Sequence, residues 1–227
     1  MKISKDKIYV VVPAYNEAKV IAEVIQEIKD AGFDKIIVVD DGSDDYTRRE
    51  AEKAGAIALR LSINRGKGAA VKTGIEAAKI LQAELVITMD ADGQHNPQDG
   101  WKMVKLIREQ EYDVVLGTRL RNAEKMPKIK IFYNYIGNFL TWLFYGLWVS
   151  DSQSGFRAFS RRAIQLIDTK GDRYEYDSEV IREIKKHQLK YTEVPIEVRY
   201  TEYSMGKAEK QGFKNGVKTV IKMLISN

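Results

Sequence analysis

LVITMDADGQH, residues 85–95, opens with five uncharged residues and then sets two aspartates, a glycine and a glutamine in quick succession. A short β-rich run of this kind fits a strand buried on both faces, and the polar turn fits the loop that leaves it. The pattern recurs on either side. IYVVV (8–12), KIIVVD (35–40), AIALR (56–60) and DVVLG (113–117) are further short apolar runs. Helical periodicity fills the gaps: Val20, Ile21, Val24, Ile25 and Ile28 form one stripe, and 69–81 and 98–110 have helical length and pattern. Alternating strands and helices predict an α/β fold with a mostly parallel central sheet flanked by helices. In such sheets the ligand crevice lies beyond the carboxyl ends of the strands, so the residues leaving each strand carry the chemistry.

Composition narrows the classes. The 227 residues are 44% hydrophobic and 30% charged, enough for the core of one large domain and unlike a disordered chain. There is no cysteine, which excludes disulfides, thiolate metal sites and thiol nucleophiles, so any metal must take oxygen or nitrogen ligands. Only about five apolar residues precede Pro13 and no cleavage site follows, which predicts a cytoplasmic chain. The net charge of +5 divides unevenly: residues 1–118 hold 17 Lys and Arg against 20 Asp and Glu, and residues 119–227 hold 20 against 12. The basic excess belongs to the second half.

Three strand ends carry acids, in VPAYNE (12–17), IVVDDGS (37–43) and ITMDADGQH (87–95). Asp90 and Asp92, two apart where a strand opens into a loop, can reach one divalent cation, with Gln94 as a neutral oxygen ligand; this donor set suits Mg²⁺ or Mn²⁺. The same spacing also occurs in solvated turns and helix caps. Asp40 or Asp41, ahead of Gly42 and Ser43, could meet the N–H edge of a nucleobase, with Tyr15 as an aromatic surface and Glu17 as a ribose-hydroxyl acceptor; Asp44 and Asp45 fit a turn capping a helix near Thr47. NRGKGAAVKTG (64–74) fails both phosphate-loop patterns: no Ser or Thr follows the Gly-Lys pair, and Val71 stands where a third glycine is required. Gly66 and Gly68 would still permit close backbone approach to a ligand. No catalytic triad or zinc motif is present; His95 falls within the acidic loop and His187 reads as a surface residue.

The second half is less regular. Residues 131–149 contain no charge and eight aromatics. Motifs on both flanks must share one site, so a single membrane crossing is rejected, leaving a buried core helix or, favoured by the aromatics, an interfacial helix or hairpin. Residues 151–160 read as a loop entering a short strand, 177–187 as a helix and 191–200 as extended. In 211–227 Phe213, Val217, Val220, Ile221 and Leu224 share a face, with Lys214, Lys218 and Lys222 as a basic ridge.

VVPAYNE (11–17), VVDDGSDD (38–45), NRGKGAAVKTG (64–74), DADGQH (90–95), GTR (117–119) and DSQSGFRAF (151–159) together resemble family 2 glycosyltransferases of the GT-A fold, nearest the polyprenyl-phosphate enzymes of the dolichyl-phosphate mannose synthase type. The resemblance implies one domain over 1–227: a nucleotide-sugar half (1–118), an acceptor half (119–210) and the basic amphipathic C-terminal helix (211–227). It implies that Pro13, Tyr15, Glu17 and Asp41 border the base and ribose with Asp40 in support, that Asp90 meets the ribose or metal, and that Asp92 and Gln94 hold the cation on the diphosphate. Arg119, Arg199 and Lys207 would be the cationic groups at the donor or acceptor phosphates, and Gln153 to Arg157 (QSGFR), Ser154 among them, would lie beside the sugar and acceptor, with Arg157 also a candidate to hold an acceptor phosphate. Lys128 and Lys130 are weaker candidates, outside the recognisable motifs. Gln153 and RYTEYSMGK (199–207) depart from the mannose-synthase pattern, so GDP-mannose, UDP-glucose and UDP-GlcNAc all stand as donors. The implied partner is a polyprenyl phosphate at the cytoplasmic face of the cell membrane, with peripheral attachment. The alternative is a saccharide hydroxyl acceptor, which would need a carboxylate base; Asp151 is the candidate. Nucleic acid is not an expected partner, because the acids gather at strand ends and no RNA-binding aromatic signature or helix-turn-helix is present.

Overall fold

The computed structural model describes residues 4, 7–119, 138–139, 141–173 and 175–199. Lys128, Lys130, residues 131–137, Lys207 and the expected helix at 211–227 lie outside them. Seven strands form one sheet: β1 (Ile8–Ala14), β2 (Ile36–Asp40), β3 (Ile57–Arg60), β4 (Leu85–Thr88), β5 (Val114–Thr118), β6 (Arg157–Ser160) and β7 (Tyr191–Pro195), in the order β3-β2-β1-β4-β6-β5-β7. All pairings are parallel except those of β6, which runs antiparallel between β4 and β5. The helices are α1 (Ile21–Asp30), α2 (Thr47–Lys53), α3 (Lys67–Ile80), α4 (Asp99–Gln110), α5 (Arg161–Leu166) and α6 (Glu175–Lys186).

Strand alternation builds two cores. In β1 and β2, Ile8, Val10, Val12, Ile36 and Val38 face a core completed by α1, α2 and α4, whereas Tyr9, Val11, Ile37 and Val39 face one completed by α3, α5 and α6. Both faces of these strands are therefore covered, which accounts for their unbroken β-branched runs. β3 departs from that pattern: it is an edge strand, and its four residues are half-buried or exposed.

β1 pairs with β2 on one side and β4 on the other. The helix after β1 covers one face of the sheet and the helix before β4 covers the other, so β1 and β4 flank the switch point at whose carboxyl edge open α/β sheets bind their ligands. Because β6 runs the opposite way, its first residue, Arg157, reaches the same edge, beside Thr88 of β4 and Leu116 of β5.

Candidate active site

Three loops after the parallel strands are tied into one platform. The Asn16 N–H donates to Ser43 Oγ at 2.9 Å, Glu17 N–H to Thr47 Oγ1 at 2.8 Å, and Ala18 N–H to Asp45 Oδ2 at 3.1 Å. Asp45 also accepts from the Thr47 N–H at 2.9 Å, in keeping with the turn-capping role expected of it. Asp40, fully buried, accepts from Ser43 N–H at 3.0 Å and pairs with Arg60 at 3.1 Å. Asp41 accepts from the N–H groups of Arg65 and Gly66 at 2.8 and 2.7 Å. Both aspartates thus position the loops that surround them. Pro13 is half-buried, Glu17 is buried and the Tyr15 ring is exposed at the platform's rim.

The structure gives the Gly-Lys-Gly segment a different use from close approach to a ligand. A Cβ on Gly66 would sit 2.5 Å from Arg173 Cγ, and one on Gly68 would sit 2.7 Å from Tyr176 Cβ and 2.8 Å from the Gly171 carbonyl oxygen. Ala69 N–H donates to the Asp172 carbonyl at 2.9 Å. The glycines admit the chain that leads into α6, and Asp41 and Asp172 occupy amides that a bare helix terminus would offer an anion.

The lysine between those glycines is the residue that sequence reasoning missed. Lys67 Nζ lies 2.7 Å from Asp90 Oδ1 and 3.8 Å from Asp177 Oδ2. Arg157 Nη2 lies 3.1 Å from Asp177 Oδ1 and donates to the Ser152 carbonyl at 2.7 Å, while its Nε donates to the Ser154 carbonyl at 2.8 Å. A chain of alternating charge, Asp90–Lys67–Asp177–Arg157, therefore joins the donor half to the loop at 151–157. Gly155 packs beneath it, where a Cβ would meet Lys67 Nζ at 2.5 Å and Asp90 Oδ1 at 2.6 Å. Gly-Lys-Gly was the only available signal for Lys67; Asp177 lay unmarked in a predicted helix.

Electrostatics separate the two acidic-loop aspartates. Burial would raise the Asp90 carboxyl, but the Lys67 ammonium and the His95 ring, 3.3 Å from Oδ2, hold it well below the usual carboxylate range. Burial and the charge of Asp90 instead push the Asp92 carboxyl up. Asp92 therefore lacks a positive neighbour strong enough to compensate it. An oxygen-liganded divalent cation would supply that charge, so Asp90, Asp92 and the half-buried Gln94 fit Mg²⁺ or Mn²⁺ in chemistry. Among the described residues they do not form a three-member Asp, Glu or His cage. Phosphate oxygens and water would have to complete the coordination.

Arg119 and Asp151 clamp each other. Arg119 donates from Nε to Asp151 Oδ2 at 2.7 Å, from Nη2 to Oδ1 at 2.8 Å, and from its N–H to Oδ2 at 3.0 Å. Burial opposes ionisation of Asp151, yet Arg119 holds its carboxyl below the ordinary value. Arg199 reaches the acidic loop through its backbone, donating its N–H to the Gln94 carbonyl at 2.8 Å, whereas its guanidinium pairs with Glu27 on α1 at 2.9 Å. Gln153 is exposed and Ser154 buried in the same loop. His187 pairs with Glu183 at 3.2 Å, away from the cleft.

Of the uncharged run, residues 138, 139 and 141–149 are described, with helical backbone at 138–139 and 141–145. Asn138, Thr141, Tyr145 and Val149 are buried, while Phe139, Trp142, Leu143 and Trp148 are 50%, 42%, 57% and 51% exposed. The exposed rings cluster, with centroids 5.7 Å apart for Phe139 and Trp142 and 6.4 Å for Trp142 and Trp148. Among the described residues no helix is long and apolar enough to cross a membrane.

A sheet covered by helices on both faces, with acids gathered at its carboxyl edge, is the layout of an α/β protein whose ligand binds at that edge. The model for glycosyl transferase family 2 matches residues 9–167, and the chain belongs to that family, with the GT-A fold. It is 47% identical over 220 residues to the uncharacterized protein MJ1222 of Methanocaldococcus jannaschii, covering 94% of this chain and 90% of the relative. It is 38% identical over 222 residues to the UDP-N-acetylglucosamine–dolichyl-phosphate N-acetylglucosaminyltransferase of Methanococcus voltae, covering 88% of each. Glucosyl-3-phosphoglycerate synthase from Mycobacterium tuberculosis, solved with Mn²⁺, UDP and glucosyl-3-phosphoglycerate, superposes with a TM-score of 0.70 at 20% identity. The match covers 97% of this chain and 79% of the synthase, and it is a likeness of fold.

Proposed function

We propose that this family 2 glycosyltransferase moves a hexosyl unit from a nucleotide diphosphate sugar to a polyprenyl phosphate at a membrane surface, inverting the anomeric carbon. A phosphate oxygen of the acceptor forms the new bond to that carbon as the bond to the diphosphate breaks, releasing nucleoside diphosphate. The relative from Methanococcus voltae, named for UDP-N-acetylglucosamine and dolichyl phosphate, supports this chemistry and places UDP-GlcNAc first among the donors to test, ahead of UDP-glucose and GDP-mannose.

The observation that carries the choice of acceptor is the Arg119–Asp151 clamp. A hydroxyl acceptor must lose a proton, but Asp151, the base named for that route, has both oxygens engaged and its carboxyl held below the ordinary value, and Asp177, the other buried carboxylate of the site, is paired with Lys67 and Arg157. A phosphate acceptor is already anionic near neutral pH and needs no base. Asp90, Asp92 and Gln94 would hold a divalent cation, which would offset charge building on the leaving diphosphate; the Mn²⁺ and UDP in the Mycobacterium tuberculosis enzyme support that assignment. Pro13, Tyr15, Glu17 and Asp41 would border the base and ribose, with Asp40 bracing the platform. Arg119 and Lys207 are the proposed phosphate-facing cations; Arg199, expected among them, turns its guanidinium to Glu27 and braces the acidic loop through its backbone instead. Gln153 and Ser154 lie on the acceptor loop. The domain reading follows, with donor chemistry in 1–118 and acceptor chemistry in 119–210. The exposed Phe139, Trp142, Leu143 and Trp148 patch would rest in the membrane interface.

Radiolabelled UDP-GlcNAc, UDP-glucose and GDP-mannose, each incubated with a prenyl phosphate and Mn²⁺, test the reading by organic extraction of labelled lipid. One donor should yield lipid-linked sugar, and Asp92→Ala should abolish the product while the protein stays folded. Label recovered only on a saccharide hydroxyl would instead establish the Asp151-type alternative.

A further inference from the structure

β3 is an open edge of the sheet: β2 lies on one side of it, and among the described residues no strand lies on the other. Leu61 N–H donates to the Asp40 carbonyl at 2.9 Å, and the parallel register turns the backbone of Ile57 and Leu59 toward β2 in the same way. The N–H and C=O groups of Ala58 and Arg60 therefore point outward. Edge strands are normally guarded by a charge, a proline or a bulge. β3 (IALR) has no proline, and its one charge is turned inward: the Arg60 guanidinium donates to Asp40 at 3.1 Å and to the Ser43 carbonyl at 2.8 Å. On the α3 side Leu59 lines a groove of about 510 Å³ with Ala69, Thr73, Ala77 and Ile80, and Ile57 and Ile80 are exposed.

We propose that β3 pairs with β3 of a second copy of this chain, antiparallel about a two-fold axis that passes through Leu59 normal to the sheet. That register satisfies the outward groups, because Ala58 of each copy exchanges two hydrogen bonds with Arg60 of the other. It also matches side chains: Leu59 meets Leu59 and Ile57 meets Leu61, all on the α3 side, where Leu59 and Leu61 already border the core. These pairs close the open side of the groove. Neighbouring registers fail. A two-fold at Ala58 would need the Ala56 N–H, which already donates to the Ala51 carbonyl at 3.1 Å, and one at Arg60 would set two guanidinium groups opposite each other. Charges agree on the other face as well. There α2 packs on β3 and would run antiparallel to its copy, bringing exposed Arg48 and Arg49 toward the end that carries exposed Glu52. Val149 packs on the α3 side of the sheet, so the two copies would carry their aromatic segments on the same side.

Sedimentation equilibrium of the full chain should give twice the monomer mass. Ile57→Lys, a change at an exposed position, should weaken association about a hundredfold and leave the far-UV circular dichroism of the monomer unchanged. The chain has no cysteine, so introduced cysteines report the register. Cα atoms of a non-hydrogen-bonded antiparallel pair are about 4.5 Å apart, within the span of a disulfide. Under mild oxidation Leu59→Cys should form a covalent dimer about tenfold faster than Ile80→Cys, an exposed control, and a mixture of Ile57→Cys with Leu61→Cys should give mixed dimers. A chain that stays monomeric at high concentration overturns the pairing and leaves β3 to an extended segment of another protein. A dimer that survives Ile57→Lys, or in which Leu59→Cys reacts no faster than Ile80→Cys, is built on another surface and overturns it equally.

Discussion

Asp151 has both oxygens engaged by Arg119, and its side chain has no exposure to solvent. Removing the cation would leave a buried charge uncompensated, so Arg119→Met should cost about 3 kcal/mol in urea unfolding, and adding Asp151→Asn should recover roughly half. The pH dependence has a defined sign. The folded Asp151 carboxyl lies below its unfolded value of about 4, so the unfolded chain binds the proton first as pH falls. The pair's stabilisation is complete above that unfolded value and is lost as pH drops through the folded one. Acid titrations of stability should show a shallower limb for Arg119→Met than for the wild type. At this scale Asp90 and Asp92 were legible because two acids leaving an apolar run are conspicuous. Lys67, Tyr176 and Asp177 were not, since a lysine between glycines and an acid in a helical stretch look the same whether solvated or enclosed.

The junction of α3 and α6 is the element on which the site depends. Gly66 has φ +114°, and neither it nor Gly68 has room for a side chain against residues 171–176. Gly68→Ala would place a methyl group against the Gly171 carbonyl and the Tyr176 side chain. Overpacking of this kind should destabilise the fold by about 2 kcal/mol and separate Lys67 from Asp177, so a drop in urea midpoint should accompany loss of sugar transfer. The strands β1, β2, β4 and β5 were readable because burial on both faces demands continuous apolar runs. The antiparallel course of β6 was not readable, because RAFS carries no record of its neighbours. It is this direction that brings Arg157 to the ligand edge.

Across the whole molecule, the acidic first half would supply the donor side of the proposed site, while the aromatic patch stands on the more basic second half. Trp142 and Trp148 lie on the exposed side of a segment whose other side buries Asn138, Thr141 and Tyr145. If this face meets lipid, Trp142→Ser with Trp148→Ser should lower co-sedimentation with anionic vesicles roughly tenfold and leave nucleotide binding unchanged. Retained sedimentation would assign attachment to another part of the chain. Periodicity and strand-end acids in the sequence were sufficient for the α/β class, the carboxyl-edge crevice and a candidate cation loop, because they depend on local patterns of burial and charge. The clamp on Asp151, the use of the glycines as packing space and the charge chain through Lys67 and Asp177 were decided only in three dimensions. Each depends on contacts between residues 20 to 110 positions apart, whose geometry no local pattern encodes.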